Sequence, residues 1–150
     1  MRTRLVALAS LALVTGTVTP LLALDAAEAA PSGRKFSTVL TGAAEVPGPG
    51  DPDGSGTARI TINVGQRTLC YELRVSNIAP ATAAHIHEAP ADKAGPVVVP
   101  LAAPTGGSSS GCVTLDRDAL KEIAKNPDDY YVNVHNAEFP AGAVRGQLAK

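Results

Sequence analysis

Aromatic side chains and unbalanced charge are both scarce in this sequence. Tryptophan is absent, and only two phenylalanines and three tyrosines occur among the 150 residues. Because bases and sugar faces stack on aromatic rings, platforms for such ligands are scarce as well. Thirteen basic and fourteen acidic residues give a net charge of −1, which provides no electrostatic footprint for nucleic acid or an anionic membrane. We therefore expect no nucleic-acid partner.

The common hydrolytic motifs are also missing. The serines at positions 108–110 lack the Gly-x-Ser-x-Gly context of a nucleophile elbow.

The segment 51–56 (DPDGSG) resembles the start of a calcium-binding loop, but the bidentate glutamate that ends such a loop is absent. A turn between strands is the better interpretation of that segment.

The first 29 residues have the pattern of a secretory signal peptide. A basic start is followed by an interrupted apolar stretch at 5–24, and Ala27–Ala29 supplies a small-x-small cleavage site. A membrane anchor is disfavoured because the apolar run is short and is followed by small residues rather than basic ones. We therefore expect a secreted protein with no membrane span after cleavage, whose single domain occupies residues 30–150.

Two cysteines, Cys70 and Cys112, lie in the expected mature domain. An even pair in an exported protein favours a disulfide. Both residues fall on the outward phase of predicted strands, and a bridge between two strands requires such a shared phase. The alternative is two free thiols.

Short segments of alternating hydrophobicity, separated by Gly, Pro, Asn and Asp, predict eight strands and one helix. The most regular pair, 57–64 and 68–76, is joined by the turn signal Gly65-Gln66. This spacing predicts an all-β protein, either an antiparallel β-sandwich or a Greek-key barrel, with one short helix. The other strands are predicted at 36–41, 82–88, 97–101, 111–115, 130–136 and 143–148, and the helix at 118–125.

All three histidines lie on two of these predicted strands, on the phase opposite the aliphatic residues. His85 and His87 share a face because they are two residues apart. Two such imidazoles can converge on one metal ion, and His135 from a neighbouring strand would complete an open three-ligand site. Imidazole ligands favour copper or zinc over the alkaline earths. The alternative is a set of surface histidines that hydrogen-bond to the backbone.

Arg145 and Gln147 share the outward phase of the last predicted strand. Arg145 could bind an anion near a metal, or it could support the metal ligands from behind. The alternative is a structural arginine that ties loop carbonyls or carboxylates to the sheet.

Seven segments, taken in order, resemble the CHRD domain, which is named for chordin. The resemblance covers nearly the whole expected mature domain, and its most specific part is the YVNVH block followed by the final GAVRGQ. The segments are FSTVLTGAAEVP (36–47), GSGTA (54–58), CYEL (70–73), AAHIHE (83–88), GPVVVPL (95–101), NPDDYYVNVHN (126–136) and FPAGAVRGQL (139–148).

The resemblance implies a β-sandwich of the secreted, single-domain bacterial form, without a settled catalytic activity. In chordin, the domains belong to an extracellular protein that binds growth factors. We therefore expect a non-enzymatic binding or structural module whose partner is an extracellular protein or a cell-surface ligand.

The HIHE segment is also similar to the copper-binding segment of Cu/Zn superoxide dismutase. On that comparison, His85, His87 and His135 match copper ligands, and Arg145 is at best an analogue of the dismutase arginine. No histidine remains for a bridging ligand or a zinc site, and the glycine–asparagine–alanine–glycine–x–arginine segment is absent. A copper-dependent oxidoreductase similar to that enzyme is the alternative function.

Overall fold

Eight strands and one helix form from the segments whose hydrophobicity alternates. The computed structural model describes residues 32–149, so the predicted signal peptide lies outside the described residues. The predicted strands and helix are all present. The strands are β1 (Arg34–Thr41), β2 (Ser55–Asn63), β3 (Thr68–Ser76), β4 (Ala81–Glu88), β5 (Val97–Leu101), β6 (Ser108–Thr114), β7 (Tyr130–Asn136) and β8 (Val144–Gln147), and the helix is α1 (Arg117–Lys125).

The strands form one sheet in the order β5-β4-β7-β8-β1-β2-β3-β6, and every neighbouring pair is antiparallel. The sheet curves until its two edges approach each other. The hydroxyl of Ser109 in β6 donates to the carbonyl of Ala102, just after β5, at 2.7 Å. The fold is therefore a nearly closed all-β barrel with one short helix, as the sequence pattern predicts.

The inward phase of the strands fills the barrel. In β3, for example, Leu69 and Leu73 are buried inside while Glu72 and Arg74 are exposed outside. Helix α1 adds the stripe Leu120, Ile123 and Ala124 to the same core, as expected for apolar residues spaced three and four apart. Within residues 32–149 no helix has the length and apolar character needed to cross a bilayer.

Several boundaries differ from the sequence-based prediction. The turn between β2 and β3 spans residues 64–67 rather than two residues, because the side chain of Asn63 accepts the Gln66 amide at 2.9 Å and Arg67 takes a left-handed conformation. Strand β2 begins at Ser55, two residues before the predicted start at 57. Strand β6 begins at Ser108, three residues before the predicted start at 111, since its serines pair with the open edge of β3.

The predicted disulfide is confirmed. Cys70 of β3 and Cys112 of β6 are directly opposite each other in the ladder and are bonded, and the part of the chain that the structure describes holds no free cysteine. The two residues are 42 positions apart. A cross-link over that separation contributes about 4 kcal/mol in the chain-entropy model. The bond fastens the edge strand β6 to the sheet.

Candidate metal centre

The pairing of β4 with β7 brings the three histidines together. In the register of this pair, Ala83 lies opposite His135 and His85 lies opposite Asn133. Because side chains alternate along a strand, all three imidazoles emerge on the outer face of the barrel. One ring nitrogen from each of His85, His87 and His135 lies within 4.8 Å of the others. The structure thus places the three predicted ligands in one cluster.

His87 presents a buried nitrogen that has no hydrogen-bond partner. Its Nδ1 lies 2.8 Å from the carbonyl oxygen of Gly95, so Nδ1 carries the proton and donates it. That tautomer leaves a lone pair on Nε2. The Nε2 atom is buried and forms no hydrogen bond with any of the described residues. An imidazole in this state is ready to bind a metal ion.

His135 is held in the same tautomer by a different carbonyl. Its Nδ1 lies 3.1 Å from the carbonyl oxygen of Pro140, which can only accept, so Nδ1 carries a proton. That Nε2 lies 3.1 Å from Nδ1 of His85 and 3.1 Å from Oδ1 of Asn133. A neutral His135 has its lone pair on Nε2, which requires the Asn133 amide to be turned so that its NH2 group, and not Oδ1, faces that nitrogen. The donor set of the cluster is then Nδ1 of His85 together with Nε2 of His87 and of His135.

The surroundings favour neutral imidazoles. Burial, followed by the nearby His135 and His87, lowers the pKa of His85. Burial also lowers the pKa of His135, although the hydrogen bond to Pro140 acts in the opposite direction. Only a neutral imidazole can bind a metal ion. The lowered pKa values of these two histidines therefore favour the metal-binding form at neutral pH.

The outer face around His87 and Asn133 is buried, while His85 and His135 are partly exposed. Only 8% of the surface of His87 is exposed, and only 2% of that of Asn133. Strand β7 is buried along both faces for most of its length. The reason is that residues 89–95, which we call the cover loop, fold back over the outer face after β4.

Polar side chains from the sheet hold the cover loop in place. Gln147 donates to the carbonyl of Ala89 at 2.8 Å, and the Tyr131 hydroxyl accepts the amide of Gly95 at 3.2 Å. The bond from His87 to Gly95 belongs to the same set. Gly95 must be a glycine, since a Cβ there would overlap the carbonyl of Glu88.

Arg145 is buried under the cover loop. It ties loop carbonyls to the sheet, which is the structural alternative given for this residue in the sequence analysis. Its guanidinium donates to the carbonyls of Lys93 and Pro90, each at 2.9 Å, and only 1% of the residue surface is exposed. The plane also lies over the ring of Tyr131, with Cζ 3.4 Å from the ring centroid. Burial lowers the pKa of Arg145, while Tyr131, Glu45 and Asp92 act in the opposite direction.

Two residues of this region were not predicted from the sequence to belong to the site. Tyr131 stacks on His87 with centroids 4.7 Å apart and planes 6° from parallel. Glu45 is a buried acid whose Oε1 lacks a hydrogen-bond partner among the described residues, and burial raises its pKa to about 7 against the opposing effects of Arg145 and the Val46 amide. The only sequence signal for Glu45 is its place in the turn-rich EVPGPG segment.

An antiparallel barrel with three converging imidazoles, one of which is hydrogen-bonded to a covering loop, defines a class: an all-β domain with a candidate transition-metal centre on its outer face. The family comparison makes the assignment narrower. The model of the CHRD domain matches residues 36–148, and the chain belongs to the CHRD domain family. Comparisons with curated proteins and with solved structures each gave no match.

Proposed function

We propose that this CHRD domain is a secreted, non-enzymatic module that binds a transition metal through His85, His87 and His135, with copper(II) preferred over zinc(II). The observation that carries the proposal is the buried, unpartnered Nε2 of His87 within the cluster. A buried polar atom without a partner costs about 1–3 kcal/mol. A bound cation would satisfy that nitrogen.

The donor chemistry selects the metal. The cluster offers three imidazole nitrogens, while both cysteines are consumed in the disulfide and the exposed Glu88 points to the opposite phase. A nitrogen-only donor set suits copper and zinc, and copper(II) is the tighter binder of the two at a given site. Three protein ligands leave further coordination positions open to water or to a partner's donor group.

Three features support secretion. The disulfide belongs to an oxidising compartment, the family is of an extracellular type, and the first 29 residues have the pattern of a signal peptide. The partner we propose is an extracellular protein or a cell-surface ligand. Expression of the full chain in a secreting host, followed by N-terminal sequencing of the exported protein, should give a start near residue 30.

A copper-dependent oxidoreductase is the second candidate, and the three-histidine set is what favours it. The same set limits it, since within residues 32–149 no second group of three metal-binding side chains accompanies the cluster. Superoxide consumption by the copper-loaded protein, compared with free copper, would separate the two functions. We expect no turnover above that of the free ion.

Calorimetric titration of metal-free protein with copper(II) and with zinc(II) tests the proposal. We expect one copper ion per chain and weaker binding of zinc. The double variant His85→Ala, His87→Ala should lose the binding. Glu88→Gln is the matched control, because it removes an exposed carboxylate next to His87 that faces away from the cluster. Binding that survives in the double variant, or that disappears in the control, would refute the assignment.

A further inference from the structure

The side chains of His87, Tyr131 and Arg145 are stacked on one another, and His87 is one of the three candidate ligands. The imidazole of His87 lies on the ring of Tyr131, and the guanidinium of Arg145 lies over the same ring at 3.4 Å. Strand β7 lies between β4 and β8 in the sheet. Tyr131 is therefore sandwiched, with His87 on one side and Arg145 on the other.

The same three residues also form hydrogen bonds with the cover loop, and one of these bonds is made by the candidate ligand His87 itself. Arg145 holds Lys93 and Pro90 through their carbonyls, and Tyr131 accepts the amide of Gly95. The carbonyl of Gly95 then accepts the Nδ1 proton of His87. His87 is thus fixed twice, by ring stacking on its plane and by a hydrogen bond at the nitrogen opposite its ligating atom.

Arg145 is placed to support this arrangement rather than to bind a soluble anion. With 1% of its surface exposed, the guanidinium is closed to ions from solvent. It also forms no ion pair with a carboxylate of residues 32–149. Its charge is instead balanced by loop carbonyls and the face of Tyr131.

We propose that Arg145 and Tyr131 are positioning residues for the metal centre. They hold the cover loop so that Gly95 keeps the proton on Nδ1 of His87 and directs Nε2 into the cluster. The inference rests on the proposed function, since it assigns the groups that orient one of the three ligands. Partners that orient ligating histidines typically change metal affinity by about 10–100-fold when they are lost.

The discriminating variant is Arg145→Lys. Lysine keeps the positive charge but loses both the flat stacking plane and the fork that reaches two carbonyls. We expect copper(II) affinity to fall about 10–100-fold and the electron paramagnetic resonance spectrum of the bound copper to change. Arg74→Lys is the matched control, because Arg74 is an exposed arginine on the outward phase of β3. It should leave affinity and spectrum unchanged.

Tyr131→Phe tests the loop contact with less disturbance to packing. It preserves the ring that separates His87 from Arg145 and removes only the oxygen that accepts the Gly95 amide. We expect a smaller loss of affinity than for Arg145→Lys. If Arg145→Lys does not fold, a copper affinity of Tyr131→Phe below that of the wild type, together with a changed copper spectrum, supports the proposal, and no change in either refutes it.

A measurement on the metal-free wild type separates this inference from the proposed function. Long-range proton–nitrogen NMR should show the proton of His87 on Nδ1, and Arg145→Lys should shift that signal or make the proton exchange faster. A proton on Nε2 of His87 in the wild type would overturn the positioning role whether or not copper binds. If the wild type binds copper and Arg145→Lys binds it within about twofold with the same spectrum, the positioning role fails and the metal site stands. If the wild type binds no copper, the proposed function fails.

Discussion

Copper affinity should depend steeply on pH. The perturbation is a change from about pH 7.5 to about pH 5.5, across the range in which imidazoles gain protons. Each ligand must be neutral to bind, so a proton that is present on a ligand has to leave when the metal enters. Acidification therefore weakens binding, and the size of the effect depends on how many ligand protons are displaced.

The structure sets an upper limit to this effect. An imidazole with the reference pKa of about 6.5 is mostly neutral at the higher pH and about one-tenth neutral at the lower, which costs about tenfold per ligand. Three such ligands would lose about a thousandfold together. Burial lowers the pKa of His85 and His135, so these two have fewer protons to release. We expect a loss that is clear but smaller than about a thousandfold.

Calorimetry, or competition with a chelator of known proton affinity, measures this loss at both pH values. Equal affinity at the two pH values would mean that the metal does not bind through the histidines. A loss steeper than about a thousandfold would mean that further titrating groups take part in binding. Repeating the titration with His135→Gln should give a shallower dependence, because one titrating ligand has been removed.

Three further predictions concern stability and are each checked by urea unfolding of the metal-free protein. Val134→Asp should cost several kcal/mol, because it buries an unpaired charge in the core, whereas His135→Gln should cost about 1 kcal/mol for a lost hydrogen bond; equal losses would contradict the assigned strand phase. The double variant Cys70→Ala, Cys112→Ala should lose about 4 kcal/mol, and a loss near zero would contradict the loop-closure account. The pKa of Glu45 is raised to about 7 in the folded protein from 4.5, so the folded state keeps its proton longer than the unfolded state and stability falls as pH rises through this range. Glu45→Gln should remove that fall, and an unchanged pH profile would show that Glu45 is not its source.

The sequence predicts most of the barrel because alternation reports directly on burial. The aliphatic positions of β4 and β7 identify the core face, and the histidines fall on the other face without any knowledge of strand order. That two such strands are neighbours could only be assumed, because pairing depends on contacts between distant segments. The structure supplies the pairing of β4 with β7 that turns three outward histidines into one cluster.

Most of what the sequence did not predict about the surroundings of His87 depends on the cover loop. Alternation assigns Tyr131 and Asn133 to the outer phase, and an outer phase is normally solvated. Both are buried, and the cover loop accounts for Tyr131, whose hydroxyl accepts the amide of Gly95. The local sequence of a loop does not predict which surface of the protein the loop will cover. The burial of Arg145 and the tautomer of His87 follow from the contacts of this loop, whereas Tyr131 stacks on His87 because the two residues are opposite each other in the pairing of β4 with β7.

The strand order has a consequence for the sequence of events during folding. His85 and His87 are two positions apart in any conformation of the chain, whereas His135 is 50 positions from His85 and joins them only when β7 pairs with β4. An unfolded chain therefore offers an ion two nearby imidazoles, and the third becomes available only after a contact that is slow to form because it spans a long loop. The metal centre is accordingly a late product of assembly. An ion present early meets a weak two-point site, and full affinity arises only once the barrel has formed.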